Sequence, residues 1–279
     1  MITEQQRAER LLGIGGSDMA VILGLSTYKT PYQLYLEKVG EATPTEEESQ
    51  YQYWGNQLEG IVRDEFAKRN NVTITTPETL VHPEHDFLRG NVDGFIPELN
   101  AVLEVKCSSQ FMSNVWGESG SDEIPMQYLV QVAFYCMLTN ADCAHIAVLI
   151  GGNDYREYKY IRDKALEDTI IKTAKRFWNC VVTKTPPAPI NQVDLRLMYP
   201  QHDPEKTIPV TEEIKAELQV LAATKAKIKE FSDAEDKHKF NIMRFMQDAE
   251  CLADAQGRAL VSWKANKRGS RTFLVKGMQ

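Results

Sequence analysis

The spacing of apolar residues changes abruptly near Asn71, and that change limits the folds open to this chain. Before it, Trp54, Leu58, Ile61, Val62 and Phe66 recur at helical spacing, so residues 51–70 read as one long helix. After it come short β-prone segments at 72–75, 80–82, 90–96 and 101–106, divided by turn formers, which predict a run of antiparallel strands. Residues 125–140 then form a strongly apolar helix, 145–150 and 155–161 two strands around Gly151-Gly152, and 164–182 an amphipathic helix. Helix, strands, helix, strands, helix is an α/β or α+β order, which excludes an all-helical bundle and an all-β sandwich.

Punctuation refines this outline. Ser17 precedes an apolar run that ends at Gly24, and reads as an N-cap. Thr30, Pro31 and Gln33 supply a cap, a first-turn proline and a capping-box partner for a helix ending at Gly40. Residues 41–49 read as an acidic, solvated loop. The segment 107–125 has no periodic pattern, and loops of that length are often functional. Its Trp116 is expected either to anchor the loop on the core or to stack on a base and wedge a duplex end.

Thr185-Pro186-Pro187-Ala188-Pro189 cannot continue a helix, so it divides the chain into 1–189 and 190–279. The second part predicts a long helix over 211–249 with a thin stripe of Leu218, Leu221, Ile228 and Phe231. A strand pair follows, around Trp263 and 272–275. From Ala255 to Gln279 there are six Lys or Arg and no acid, so this ribbon, with Arg258 and Trp263, is either a DNA-backbone contact or simply solvated.

Composition narrows the function. There are 32 Lys+Arg against 39 Asp+Glu, a net charge of -7, which excludes a histone-like protein that coats nucleic acid through bulk charge. A local basic groove remains open. Five scattered cysteines without a CxxC exclude a cysteine-based zinc or iron–sulfur site and suit reduced cytosolic thiols. No run of 18 apolar residues occurs and the N-terminus lacks a signal core, so the expectation is a cytoplasmic protein without a membrane partner.

The most informative stretch joins Asp93-Gly94 to Leu103-Glu104-Val105-Lys106. Glu104 and Lys106 are two apart on a strand and therefore share a face. Two hard oxygen ligands near one point suit Mg²⁺ or Mn²⁺. Glu59 on the preceding helix could add a third carboxylate, and Gln131 inside the apolar helix needs a partner. Each residue also has a plainer reading: a surface Glu/Lys pair, a turn aspartate, a Glu59–Arg63 helix pair, a satisfied core amide.

Four blocks in order resemble the PD-(D/E)XK nuclease superfamily, and more narrowly the YqaJ-type viral recombinases, a group that includes phage lambda exonuclease. They are Arg10-Leu-Leu-Gly-Ile-Gly-Gly-Ser17-Asp18 with the following Tyr28-Lys-Thr-Pro; Gly55-Asn-Gln-Leu-Glu59; Asp93-Gly94 with Leu103-Glu-Val-Lys106; and Tyr128-Leu-Val-Gln131-Val-Ala-Phe-Tyr135. Val92 stands where the superfamily's signature proline would be. The resemblance spans roughly residues 8–185. It implies a restriction-endonuclease-like core, a central mixed sheet flanked by helices, with the C-terminal helix and β-ribbon as an appendage.

The resemblance also implies roles. Asp93 and Glu104, with the Val105 carbonyl, would ligate Mg²⁺ (Mn²⁺ substituting), and Glu59 would complete the site. Lys106 would activate the nucleophilic water, and Gln131 would position Lys106, the water or the phosphate. Arg10 and Ser17 would grip a DNA 5′-phosphate. The expected activity is 5′→3′ degradation of one strand of linear double-stranded DNA, leaving 3′ tails for a phage single-strand annealing protein in phage or prophage recombination. The expected assembly is a homo-oligomer, several members of the group being ring-shaped trimers. The competing readings are an endonuclease, restriction-like or Cas4-like, and a DNA-binding assembly module without catalysis.

Overall fold

The computed structural model describes residues 9–42, 49–267 and 269–276; most of the expected acidic loop, 43–48, lies outside the described residues. The chain forms two compact units, Met1–Gln201 and His202–Gln279.

In the first unit, short helices lead into the sheet. Helix α1 (Gly16–Ile22) is capped at Gly15, whose N–H donates to Asp18 Oδ2 at 3.0 Å. Ser17 therefore sits inside the first turn and is not the cap: the acceptor that closes this turn is the Asp18 carboxylate, which also pairs with Lys38 at 2.8 Å. Helix α2 (Pro31–Lys38) follows its signals, with Thr30 Oγ1 accepting from Gln33 N and Gln33 Oε1 accepting from Thr30 N. Helix α3 (Gln50–Asn70) buries only Val62 and Phe66. Trp54 and Ile61 of the expected stripe are 56% and 64% exposed: Trp54 lies in the uncovered N-terminal half of α3, and Ile61 lies off the face that buries Val62 and Phe66.

A two-stranded ribbon, β1 (Leu80–Val81) and β2 (Arg89–Gly90), precedes the main sheet of β3 (Gly94–Ile96), β4 (Ala101–Ser108), β5 (Cys143–Ile150) and β6 (Asp154–Ile161). The sheet order is β3-β4-β5-β6; the outer pairs are antiparallel and β4–β5 is parallel. Within 72–106 the pairings are antiparallel, as expected, and the sheet becomes mixed, as the resemblance implies, where β4 meets β5. Residues 72–75 supply one bridge, Thr75 to Phe95, and not a strand. The segment 90–96 breaks into β2 and β3 at Asn91-Val92-Asp93, so Asp93 stands at the head of β3. At Gly94 a Cβ would lie 2.5 Å from Ile74 Cγ2, a close approach that requires glycine.

Helix α4 (Met126–Thr139) makes the crossover from β4 to β5, and α5 (Lys164–Thr183) packs on it. The sheet is covered on both faces. Val102, Ile146 and Val148 pack with Val130, Phe134 and Met137 of α4, whereas Leu103, Val105 and Ala147 pack with Val62 and Phe66 of α3. Alternation along β4 therefore turns Glu104 and Lys106 toward α4.

Helix α6 (Gln192–Met198) belongs to the first unit, beyond the 189/190 division that the proline segment suggests. Asp194 explains its attachment: fully buried, its carboxylate accepts from Thr30 Oγ1 at 2.6 Å and Ile190 N at 2.9 Å.

The second unit holds α7 (Glu212–Met246) and a three-stranded antiparallel sheet of β7 (Cys251–Ala253), β8 (Ala259–Ala265) and β9 (Arg271–Val275), one strand more than expected. Here the Arg271 guanidinium lies 3.6 Å from the Trp263 ring centroid and donates to the Gln247 and Ala249 carbonyls. Arg258 pairs with Asp254 and Lys264 with Glu250. Trp263 and three of the ribbon's cations are thus engaged within their own unit.

Asp194→Ala removes the acceptor for a buried hydroxyl and a loop N–H, which costs about 1–3 kcal/mol for each unsatisfied group. The expected result is a melting temperature several degrees lower, measured by thermal denaturation.

Candidate active site

Glu104 is 1% exposed at the centre of β4. Its Oε1 accepts hydrogen bonds from the Lys106 ammonium and from Gln131 Nε2, the latter at 2.7 Å. Its Oε2 is buried and has no hydrogen-bond donor. Desolvation, then the Asp93 charge, push the Glu104 carboxyl up to about 8. A carboxylate so placed gains most from a cation at the open oxygen.

Asp93 supplies the second carboxylate from the head of β3, its Oδ2 accepting from Val105 N at 2.8 Å. A strand residue presents its N–H and C=O to the same side, so the Val105 carbonyl faces the edge beside Asp93, past the start of β3. Arg63 Nη1 donates to the Asp93 carbonyl at 3.3 Å and ties α3 to this corner.

Glu59 does not join Glu104 in one cluster. It stands on α3, which packs on the opposite face of β4, and lies 3.9 Å from Arg63. Burial and then Asp93 raise its pKa, with Arg63 and Lys106 opposing. Among the described residues no three His, Cys, Asp or Glu side chains converge on one point, so the expected three-carboxylate cage is not assembled. What is assembled is Asp93 with Glu104, the Val105 backbone, Lys106 and Gln131. The open Glu104 oxygen and the all-oxygen donor set fit a hard divalent cation.

Lys106 is held on three sides. Burial alone would lower its pKa, but Glu104 and Asp93 outweigh this and hold it above its ordinary value, so it is a cation. Its Nζ lies 5.3 Å from the Tyr128 ring centroid, and Tyr128 stacks on Trp116 at 5.2 Å. Trp116 is 4% exposed and also meets Tyr158, so it anchors the loop and the base-wedge reading falls. The exposed aromatic of this segment is Phe111, at 93%, which sequence patterning did not single out.

Arg10 and Ser17 come together. With Thr79, Arg89, Asn91 and Tyr135 they line a cavity of about 100 Å³ beside α1. Loss of the capping role does not remove Ser17 from the wall, since its first-turn position leaves its side chain exposed. Arg89 and Asn91 were missed by sequence reasoning. The signal was their place just before Asp93, where a strand break turns adjacent residues outward.

Comparison with known proteins bears on the family and the fold. The YqaJ-like viral recombinase domain matches residues 5–142. The chain is 33% identical over 258 residues to YqaJ of Bacillus subtilis (strain 168), a protein itself described as uncharacterized, covering 90% of this chain and 80% of that one. Among solved structures, the alkaline exonuclease LHK-Exo of Laribacter hongkongensis superposes with a TM-score of 0.55 at 18% identity, over 65% of this chain and 94% of that chain. LHK-Exo in complex with dAMP gives the same TM-score at 17% identity. The structural likeness establishes the fold, a mixed sheet flanked by helices as in the alkaline exonuclease LHK-Exo. Sequence identity over most of both chains establishes the lineage: the protein belongs to the YqaJ-like viral recombinase family.

Proposed function

We propose that the protein is a Mg²⁺-dependent exonuclease that hydrolyses phosphodiester bonds of linear double-stranded DNA from the 5′ end. The observation that carries this is the buried Glu104, with one oxygen lacking a hydrogen-bond donor and the other held by Lys106 and Gln131. A structural ion pair has no use for a buried oxygen without a partner.

Asp93, Glu104 and the Val105 carbonyl would hold the cation, with Mn²⁺ as a substitute and Glu59 reaching in from the α3 side. A divalent ion there lowers the pKa of bound water and offsets charge on the phosphate. Lys106, kept protonated by Glu104, orients the attacking water and meets the phosphate charge. Gln131 fixes the Glu104 oxygen that faces Lys106, which would leave the other oxygen free to hold the cation. Arg10 and Ser17 take the terminal 5′-phosphate in the adjacent cavity, where a guanidinium can make paired hydrogen bonds.

Membership of the family supports a place in phage or prophage recombination in the bacterial cytoplasm. The 3′ tail would pass to a single-strand annealing protein, and copies of the chain would assemble as a homo-oligomer such as a trimer. No helix among the described residues is long and apolar enough to cross a membrane.

Three measurements test this. Linear duplexes with 5′-phosphate, 5′-hydroxyl or 3′-overhanging ends should be degraded in that order of preference, and a covalently closed circle should resist; cutting of the circle would instead identify an endonuclease. Glu104→Ala and Lys106→Ala should each lower cleavage by a factor on the order of 10² or more while leaving a cooperative melt, as is usual for loss of a transition-state charge partner. Mg²⁺ should raise the melting temperature of the wild-type protein and not of Glu104→Ala, because only a ligand bound by the folded state stabilises it.

A further inference from the structure

Tyr135 stands between the two halves of the proposed site. It follows Gln131 by one turn on α4, and its ring is 7% exposed. Two glycines make room for that ring. A Cβ on Gly16 would lie 2.9 Å from Cζ, the carbon that bears the hydroxyl, and one on Gly90 would lie 3.0 Å from Cε1. The same Gly16 Cβ would lie 3.1 Å from Gln131 Cγ. The phenolic end therefore rests against the first turn of α1, beside Ser17, and Tyr135 forms part of the cavity wall shared by Arg10, Ser17 and Asn91.

On its other side the phenol meets the catalytic network. Its Cζ and Gln131 Cγ both crowd the same point at Gly16, which brings the phenol beside the Gln131 amide, and burial, with the Glu104 and Asp93 charges adding to it, raises its pKa. The hydroxyl thus keeps its proton at neutral pH and can donate to an anion. Gln131 Nε2 carries two hydrogens and already gives one to Glu104 Oε1. A directed chain can then run from the Gln131 amide to the Tyr135 oxygen, and from the Tyr135 hydroxyl to an oxygen in the cavity. Chains of this kind polarise and strengthen one another.

We propose that Tyr135 is a positioning residue that ties the terminal-phosphate cavity to Glu104 through Gln131. A phosphate oxygen accepts from the Tyr135 hydroxyl, which fixes the Gln131 amide and so the carboxylate that it holds. Occupancy of the cavity then readies the site for hydrolysis, beyond adding affinity. This rests on the proposed exonuclease function and on the cavity as its end-phosphate site.

Tyr135→Phe tests it, because the ring that fills the space between the glycines is kept. We expect the wild-type protein to prefer 5′-phosphorylated over 5′-hydroxyl linear duplex. In Tyr135→Phe the ratio of kcat/KM for the two ends should fall at least fivefold, mainly through kcat on the phosphorylated end. Arg10→Ala should lower the same ratio mainly through KM. An equal loss of activity on both ends in Tyr135→Phe, or a ratio that stays at the wild-type value, would overturn the coupling alone. A wild-type protein indifferent to the end group would overturn the assignment of the cavity, and the coupling with it.

Discussion

The buried carboxylate of Glu104 is the interaction around which this unit is arranged. Removing an ionised carboxylate from water costs several kcal/mol even after relaxation, a large part of the ~5–15 kcal/mol that holds a domain folded. Lys106 and Gln131 offset some of this from β4 and α4. Their own positions need support, and the long loop after β4 provides it. Trp116 stacks on Tyr128, the ring that faces the Lys106 ammonium. Arg156 and Tyr158 of β6 bind the Trp116 and Gly117 carbonyls, closing the loop over the sheet. The segment, which carries a short 3-10 helix at Gln110–Val115, is thus tied to the sheet beside the charged side chain it covers.

Strand alternation decides which carboxylates can share a ligand. On β4, Glu104 and Lys106 face α4, whereas Leu103 and Val105 face α3. Glu59, carried by α3, approaches from the other side of the strand and feels Asp93 before anything else except its own burial. Asp93 escapes this division because it lies ahead of β3, where the ladder has not begun and a side chain can turn to either face. That explains why Asp93 and Glu104 sit together while Glu59 stands apart.

Much of this could be read from residues, and the failures share a cause. Thr30, Pro31 and Gln33 act within one turn, so their roles survive intact in the structure. Glu104 and Lys106 follow from a period of two within a single strand. The parallel β4–β5 pairing, by contrast, depends on where α4 returns the chain, which strand patterns do not encode. Ser17 failed as a cap because the choice between Gly15 and Ser17 turned on the Asp18 carboxylate and its Lys38 partner, a contact across 20 residues. The upper half of α3 has core-like spacing but nothing to cover it, so Trp54 is exposed. Asp194 escaped notice for the same reason: its partner Thr30 is 164 residues away.

The acidic balance of the chain takes on a different meaning once the cations are placed. A net charge of -7 opposes adhesion along the side of a duplex. The acid-free C-terminal stretch does not simply reverse this, because Arg258, Lys264 and Arg271 are already held by Asp254, Glu250 and backbone carbonyls. Positive charge near the proposed chemistry comes instead from Arg10 and Arg89 at the cavity, Arg63 beside Asp93 and Lys106 beside Glu104. For an enzyme that begins at a strand terminus this distribution is favourable. Glu9 and Asp18 line the cavity together with Arg10 and Arg89, and its volume of about 100 Å³ has room for a terminal phosphate but not for a continuous duplex.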